Sequence, residues 1–270
     1  MKKKIIIFGD SYGDPEYFTS QNKFNDTITW HELLKSNYIV INHSVSGSGP
    51  HYSFKKYYEF ISKKQRTKDY ICVFLLSGQD RINFPGKHPS SGTHIGWDNK
   101  NKKSYLINEK DKSFYDDFKS EIDFFYLTMQ EEIDWFNYKN ISFLFVNSIL
   151  LGLKTIIFLT SCSYDIRGAV LDFEKMNNSN FFISPTVLSD VSEMEFNDMK
   201  KNKSYSHFAF TDFRRNHFSQ ENHEIFYKNI EKIINNDYIL YDFKKHLNPL
   251  NYYGTISHND SIDDNKFIYD

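Results

Sequence analysis

A serine that directly follows a run of apolar residues is the first feature of this chain that could do chemistry. Residues 5–8 are all apolar and three of them are β-branched, which is typical of a strand buried on both faces. Gly9, Asp10 and Ser11 come next, at the strand's carboxyl end, where open α/β sheets bind their ligands. A serine there can direct its hydroxyl into a crevice whose N–H groups hold an anion. The alternative is that Gly-Asp-Ser is only a turn, because these residues are common turn formers.

Three further polar stretches lie at comparable places in the sequence. A glycine- and serine-rich loop, residues 42–49, follows an apolar run at 39–41, and residues 77–81 follow another at 71–76. Asn216-His217-Phe218-Ser219 precedes a helix that is predicted to begin at Ser219 and continue to residue 234. In chain order, the four stretches supply a serine, glycines, an amide side chain in Gln79, and a histidine.

The alternation of apolar runs with helical patterns predicts the elements that position these stretches. Strands at 5–8, 39–41, 71–76 and 155–159 alternate with helical segments, so they should lie parallel in the order two-one-three-four, with helices on both faces. The loops after the first three strands should therefore converge at one edge. A short fifth strand is predicted at 181–184. Helices are predicted at 27–35, with Asp26 as a possible cap, at 51–64, from about 114, and at 141–151.

Two helical patterns and one insertion complete the prediction. The helix from about 114 should bury the stripe Phe118, Ile122, Phe125 and Met129, while 141–151 is apolar nearly all round and should be buried. Residues 82–112 are rich in Pro, Gly, Ser, Asn and Lys, which predicts a lid, a binding element or disorder. We predict one α/β domain over residues 1–245 with this insertion, and a polar tail at 246–270.

Charge and composition exclude several classes of function. The chain has 33 basic and 35 acidic residues and a net charge of −2, which is unlike the basic surface of a nucleic-acid binder. The first apolar run is too short for a signal peptide or a membrane span, so we expect a cytoplasmic protein without a membrane span. Cys72 and Cys162 are expected to be buried free thiols rather than zinc ligands, and no cofactor is expected.

Taken together, the four stretches resemble the sequence blocks of the SGNH hydrolases, also called the GDSL family. Gly9-Asp10-Ser11 resembles the first block, and Gly47 is the best match to the oxyanion glycine after the second strand. The sequence Ser77-Gly78-Gln79-Asp80 stands where the family usually has Gly-x-Asn-Asp, and His217 takes the place of the catalytic histidine. The resemblance extends from the first strand to the last helix. It implies a flavodoxin-like three-layer α/β sandwich with a central parallel sheet.

The chain departs from the family pattern at two positions. Gln79 stands where the family has an asparagine, and it carries the same amide on an arm longer by one methylene. Arg214 stands three residues before His217, where the family has an aspartate. Asp212 is the nearest carboxylate upstream and is predicted to be the partner of His217. Pairing of Asp212 with a neighbouring arginine, and a Ser-His dyad, are the alternatives.

The resemblance implies a serine ester hydrolase that forms an acyl-enzyme. Ser11 would be the nucleophile and His217 its base, with the N–H groups of Ser11 and Gly47 and the Gln79 amide around the oxyanion. The implied substrate is a small acyl ester, plausibly acetyl on a carbohydrate, and Asp10, Asp80 and Arg81 are candidates to contact it. Acyl transfer to a sugar hydroxyl and a non-catalytic binding module that keeps the fold are the alternatives. The sequence leaves the oligomeric state open.

Overall fold

The architecture was analysed in a computed structural model. It describes residues 2–14, 28–63, 68–77, 95–98, 101–106, 112–160, 175–188 and 220–236, and within these ranges the side chains of 96–97, 130–137, 185–187 and 220–222 are not described. The strands are β1 (Lys4–Gly9), β2 (Ile39–Asn42), β3 (Tyr70–Leu76), β4 (Ile95–Asp98), β5 (Lys103–Leu106), β6 (Lys154–Leu159) and β7 (Phe181–Val187). The helices are α1 (Trp30–Leu34), α2 (Pro50–Lys63), α3 (Lys112–Leu150) and α4 (Gln220–Ile234).

Five of the strands form one parallel sheet in the order β2-β1-β3-β6-β7. The predicted parallel order of the first four strands is therefore confirmed, and the predicted fifth strand extends the sheet as β7. Lys4 of β1 aligns with Ile39 on one side and with Tyr70 on the other, so the amino ends of three strands are level. Each of the first three strands ends at nearly the same height, which places the loops after them side by side.

Helices cover both faces of this sheet, because alternate residues of each central strand point to opposite faces. On one face, Ile5, Ile7, Val73 and Phe158 pack with α1 and α4. The other face packs against α2 and the second half of α3, and its buried strand residues are Ile6, Phe8, Cys72, Phe74 and Ile157. The described residues thus form an α/β fold with three layers, as predicted. Cys72 is a buried free thiol, as expected, whereas Cys162 lies outside the described residues.

Within the predicted insertion, the structure describes an antiparallel hairpin of β4 and β5. Ile95 of this hairpin packs with Tyr115, Ile122 and Tyr126 of the first half of α3 in a small separate core. The stripe predicted for this half is only partly correct. Ile122 is buried, but Phe118 and Met129 are 43% and 41% exposed.

The position of the β4–β5 hairpin explains why the buried side of this helix differs from the predicted stripe. Tyr115, Ile122 and Tyr126 face the hairpin, so this side of the helix is buried even though two of its three members are tyrosines. The backbone angles of Phe118 (φ −123°, ψ 18°) also interrupt the helix, which rotates the residues before it relative to those after it.

The prediction that residues 141–151 are buried all round is wrong. Ile141 and Leu144 are buried against the sheet, but Ile149 and Leu150 are 52% and 75% exposed. The reason is that α3 lies in an outer layer, where only one side of a helix can contact the sheet. Gly152 ends the helix as predicted, with φ +60°. No helix in the described part of the chain is long and apolar enough to span a membrane.

Candidate functional site

Hydrogen bonds join the loops that follow β1, β2 and β3. The carbonyl oxygen of Gly9, the last residue of β1, accepts from the Val45 N–H and from the Ser48 hydroxyl, each at 3.0 Å. The Ser77 hydroxyl, directly after β3, donates to the Ser48 carbonyl oxygen at 2.7 Å. These loops therefore converge at the carboxyl edge of the sheet, as the sequence predicts, and direct hydrogen bonds fix their relative positions.

Gly9 is needed for this close approach between β1 and β3. A Cβ atom on Gly9 would lie 2.6 Å from the Leu75 Cβ, closer than two such atoms can approach without displacement. The neighbouring strand therefore explains the glycine of the Gly-Asp-Ser sequence, since its own φ is not in the left-handed region. This packing fixes the point at which Asp10 and Ser11 leave the sheet.

Asp10 organises the turn that carries Ser11. Its carbonyl oxygen accepts from the Gly13 N–H at 3.0 Å, and its carboxyl oxygen Oδ1 accepts from the Tyr12 N–H at 3.1 Å. Its other carboxyl oxygen accepts from the Thr160 hydroxyl at 2.6 Å, across from the end of β6. Asp10 is only 1% exposed, so these contacts assign it to holding the Ser11 turn. Thr160 was not predicted, although its place directly after the fourth strand was a usable signal.

The turn at residues 45–48 contains an N–H group that has no acceptor among the described residues. Ser48 N–H donates to the Val45 carbonyl, which closes a turn in which Gly47 has a φ of +75°. Glycine favours this left-handed conformation because it has no Cβ. Five N–H groups of residues 43–48 donate hydrogen bonds, to the acceptors Ile7 O, Asn42 Oδ1, Gly9 O, Asp14 Oδ2 and Val45 O. Among the N–H groups of residues 43–48, only that of Gly47 has no acceptor within the described residues.

Ser11 lies in the neighbouring turn, and its N–H group also has no acceptor among the described residues. The Tyr12 and Gly13 N–H groups that follow it both donate to Asp10, while no acceptor among the described residues engages the Ser11 N–H. Ser11 is 4% exposed. Because the backbone of both turns is fixed by its other hydrogen bonds, the N–H groups of Ser11 and Gly47 remain available to an anionic oxygen.

The histidines near this edge differ in their surroundings. His43, directly after β2, stacks on Phe8 with ring centroids 5.8 Å apart, and burial lowers the pKa of His43. His51 is exposed at the start of α2, and His223 is buried in α4. His43 therefore packs against the core from the side of the sheet opposite α4.

The other predicted site residues, namely Gln79, Asp80, Arg81, Asp212 and His217, lie outside the described residues. Their roles stay predictions, as does the distance between Asp212 and His217. The structure thus brings together Asp10, Ser11 and Gly47 of the predicted set. In the described part of the chain, no cluster of three or more His, Cys, Asp or Glu side chains could hold a metal ion.

Comparison with known proteins identifies no relative from which a function could be transferred. No protein-family model matches the chain, and no curated protein matches it.

Proposed function

We propose that this protein is a serine ester hydrolase in which Ser11 attacks a small acyl ester. The observation that carries the proposal is the pair of N–H groups, on Ser11 and Gly47, that have no acceptor among the described residues. Buried or constrained N–H groups are normally hydrogen-bonded, so unused ones beside a serine suit an oxyanion hole. The order β2-β1-β3, with the Ser11 turn in the middle, supports the same assignment.

The proposed reaction follows from these positions. His217 accepts the proton as the Ser11 Oγ attacks the ester carbonyl carbon, and the carbonyl oxygen becomes negative. The Ser11 and Gly47 N–H groups and the Gln79 side-chain amide would donate to this oxygen. The alcohol leaves with the proton from His217, and water then hydrolyses the acyl-serine. Asp212 would orient the histidine ring and stabilise its cation.

The three predicted substrate contacts, Asp10, Asp80 and Arg81, have different roles in the proposed reaction. Asp10 supports the nucleophile by fixing its turn, because its carboxyl group already accepts hydrogen bonds from Tyr12 and Thr160. Asp80 and Arg81 follow Gln79 directly and are proposed to contact the polar alcohol part of the substrate. The favoured alcohol is a carbohydrate hydroxyl and the favoured acyl group is acetyl.

Covalent labelling tests the nucleophile. A fluorophosphonate should add one adduct to the wild-type protein, and intact mass and peptide mapping should place it on Ser11. Ser11→Ala should abolish the adduct, while the control Ser62→Ala, an exposed serine on α2, should leave it unchanged. Absence of labelling in a folded wild-type protein would refute the hydrolase and favour the non-catalytic binding module.

Turnover then tests the reaction. Hydrolysis of p-nitrophenyl acetate and of acetylated sugars should depend on Ser11 and should fall by about 10²–10³ when one oxyanion donor is lost, as in Gln79→Ala. If acyl groups leave Ser11 only when a sugar acceptor is added, the protein is an O-acyltransferase instead. An unchanged rate in Gln79→Ala would remove Gln79 from the oxyanion hole.

A further inference from the structure

An apolar surface on the outer side of α3 has no role in the proposed reaction. It consists of Tyr58 of α2 and five residues of α3, and we call it the outer α3 face. Its members and their exposed fractions are Tyr58 (39%), Tyr138 (38%), Phe143 (39%), Val146 (45%), Ile149 (52%) and Leu150 (75%). The opposite side of this part of α3, with Ile141 and Leu144, is buried against the sheet. The helix is therefore apolar on both its inner and its outer side.

Contacts beneath this face hold it in a fixed shape. The rings of Tyr58 and Phe143 lie 5.4 Å apart, and the Tyr58 hydroxyl donates to the side-chain oxygen of Asn140. A second hydrogen bond joins the same two helices, since the Asn147 side-chain amide of α3 donates to the Tyr57 hydroxyl of α2 at 3.2 Å. Because α2 and α3 are joined in this way, Tyr58 and Phe143 need little further ordering when a partner binds.

The exposed area of the face reaches the lower limit for one half of a protein interface. With on the order of 200 Å² for a fully exposed large side chain, the six exposed fractions amount to roughly 550 Å². If all of this area is covered, two copies bury roughly 1,100 Å², which reaches the lower limit of about 1,000 Å² for a specific interface.

The charge of the face also favours a second copy over a lipid surface. Lys139 is the one charged residue among positions 138–150, and on α2 Lys55 lies one turn before Tyr58. Interface cores are depleted in charge, which this segment matches. Helices that lie on membranes instead carry many lysines and arginines on their polar side. Two lysines, Lys55 and Lys139, do not provide that attraction.

We propose that the outer α3 face is the interface of a symmetric homodimer. A two-fold axis would place the face against its own copy, so the same six side chains contact each other in both directions. In an antiparallel crossing, the two α3 helices also oppose their dipoles favourably. This inference does not depend on the proposed hydrolase activity.

Sedimentation velocity of the full-length protein tests the dimer. Over a range of about 1 to about 100 μM, the wild type should shift from monomer to dimer. The double variant Val146→Glu/Ile149→Glu should raise the dissociation constant by at least about 100-fold, because it places like charges across the axis. Met176→Glu is the matched control, since Met176 is 42% exposed in the turn before β7 and lies outside the face.

Circular dichroism should show that both variants fold, since all three positions are exposed. A wild type that stays monomeric at every concentration overturns the proposal, and the thiol reactivity of Val146→Cys would then show whether other residues of the same chain cover the face. A dimer that survives the double variant also overturns it. Binding of the wild type to neutral phosphatidylcholine vesicles as a monomer, lost in the double variant, would assign the face to a lipid surface.

Discussion

Replacing Thr160 with valine tests whether β6 supports the turn that carries Ser11. Valine has nearly the shape of threonine but cannot donate the 2.6 Å hydrogen bond from the Thr160 hydroxyl to the Asp10 carboxyl oxygen. This bond joins residues 150 positions apart, and both are at most 1% exposed. Because a hydrogen bond to a charged group contributes about 1.5–3 kcal/mol, Thr160→Val should lower the free energy of unfolding by about that amount.

Thr155 provides a matched control on the same strand. It is fully buried, and its hydroxyl donates over 3.3 Å to the Leu153 carbonyl, a local contact that leaves no distant group without a partner. Thr155→Val should therefore cost no more than about 1 kcal/mol. Urea unfolding followed by circular dichroism at constant pH measures both differences.

The same pair of variants separates stability from function. If Asp10 positions Ser11, Thr160→Val should slow fluorophosphonate labelling of Ser11 by about tenfold or more under conditions in which the variant is folded. Thr155→Val should leave the labelling rate unchanged. Equal destabilisation by the two variants would refute the reasoning about the Asp10 contact, and an unchanged labelling rate in Thr160→Val would refute the positioning role.

Three other predictions follow from buried residues. Gly9→Ala should destabilise the fold by about 1–3 kcal/mol, because the new Cβ lies 2.6 Å from that of Leu75; urea unfolding checks this value. Burial lowers the pKa of His31 from 6.5 to about 4. Between these two pH values the unfolded chain binds a proton at His31 that the folded chain does not. The free energy of unfolding therefore falls as the pH is lowered. Between about pH 7.5 and about pH 5, this effect should lower the free energy of unfolding of the wild type by about 2 kcal/mol. Urea unfolding at both pH values should show that His31→Gln does not lose this amount. An equal pH dependence in wild type and variant would contradict the prediction. Burial also raises the pKa of the Cys72 thiol, so Ellman's reagent should modify Cys72 only on unfolding.

The sequence by itself determined the parallel sheet and the position of its loops. Residues 5–8 and 71–76 are apolar throughout, because strands buried on both faces cannot alternate polar and apolar residues. Parallel strands have their carboxyl ends at one edge, so the meeting of the Ser11 turn with the Gly47 loop also followed from the order of the elements. Pattern and order sufficed for these features, because an apolar run marks a strand that is buried on both faces and the order of the elements sets which strand ends lie side by side.

Only the tertiary structure decided which sides of α3 are buried. Its first half packs against the β4–β5 hairpin through Tyr115 and Tyr126, while its second half lies on the sheet with Leu150 exposed. A helical pattern records where apolar residues lie, but it does not record which element contacts them, or that a second apolar side of the helix stays exposed. The Thr160–Asp10 bond and the unused N–H of Gly47 were hidden for the same reason, since each depends on residues brought together by the fold rather than by the sequence.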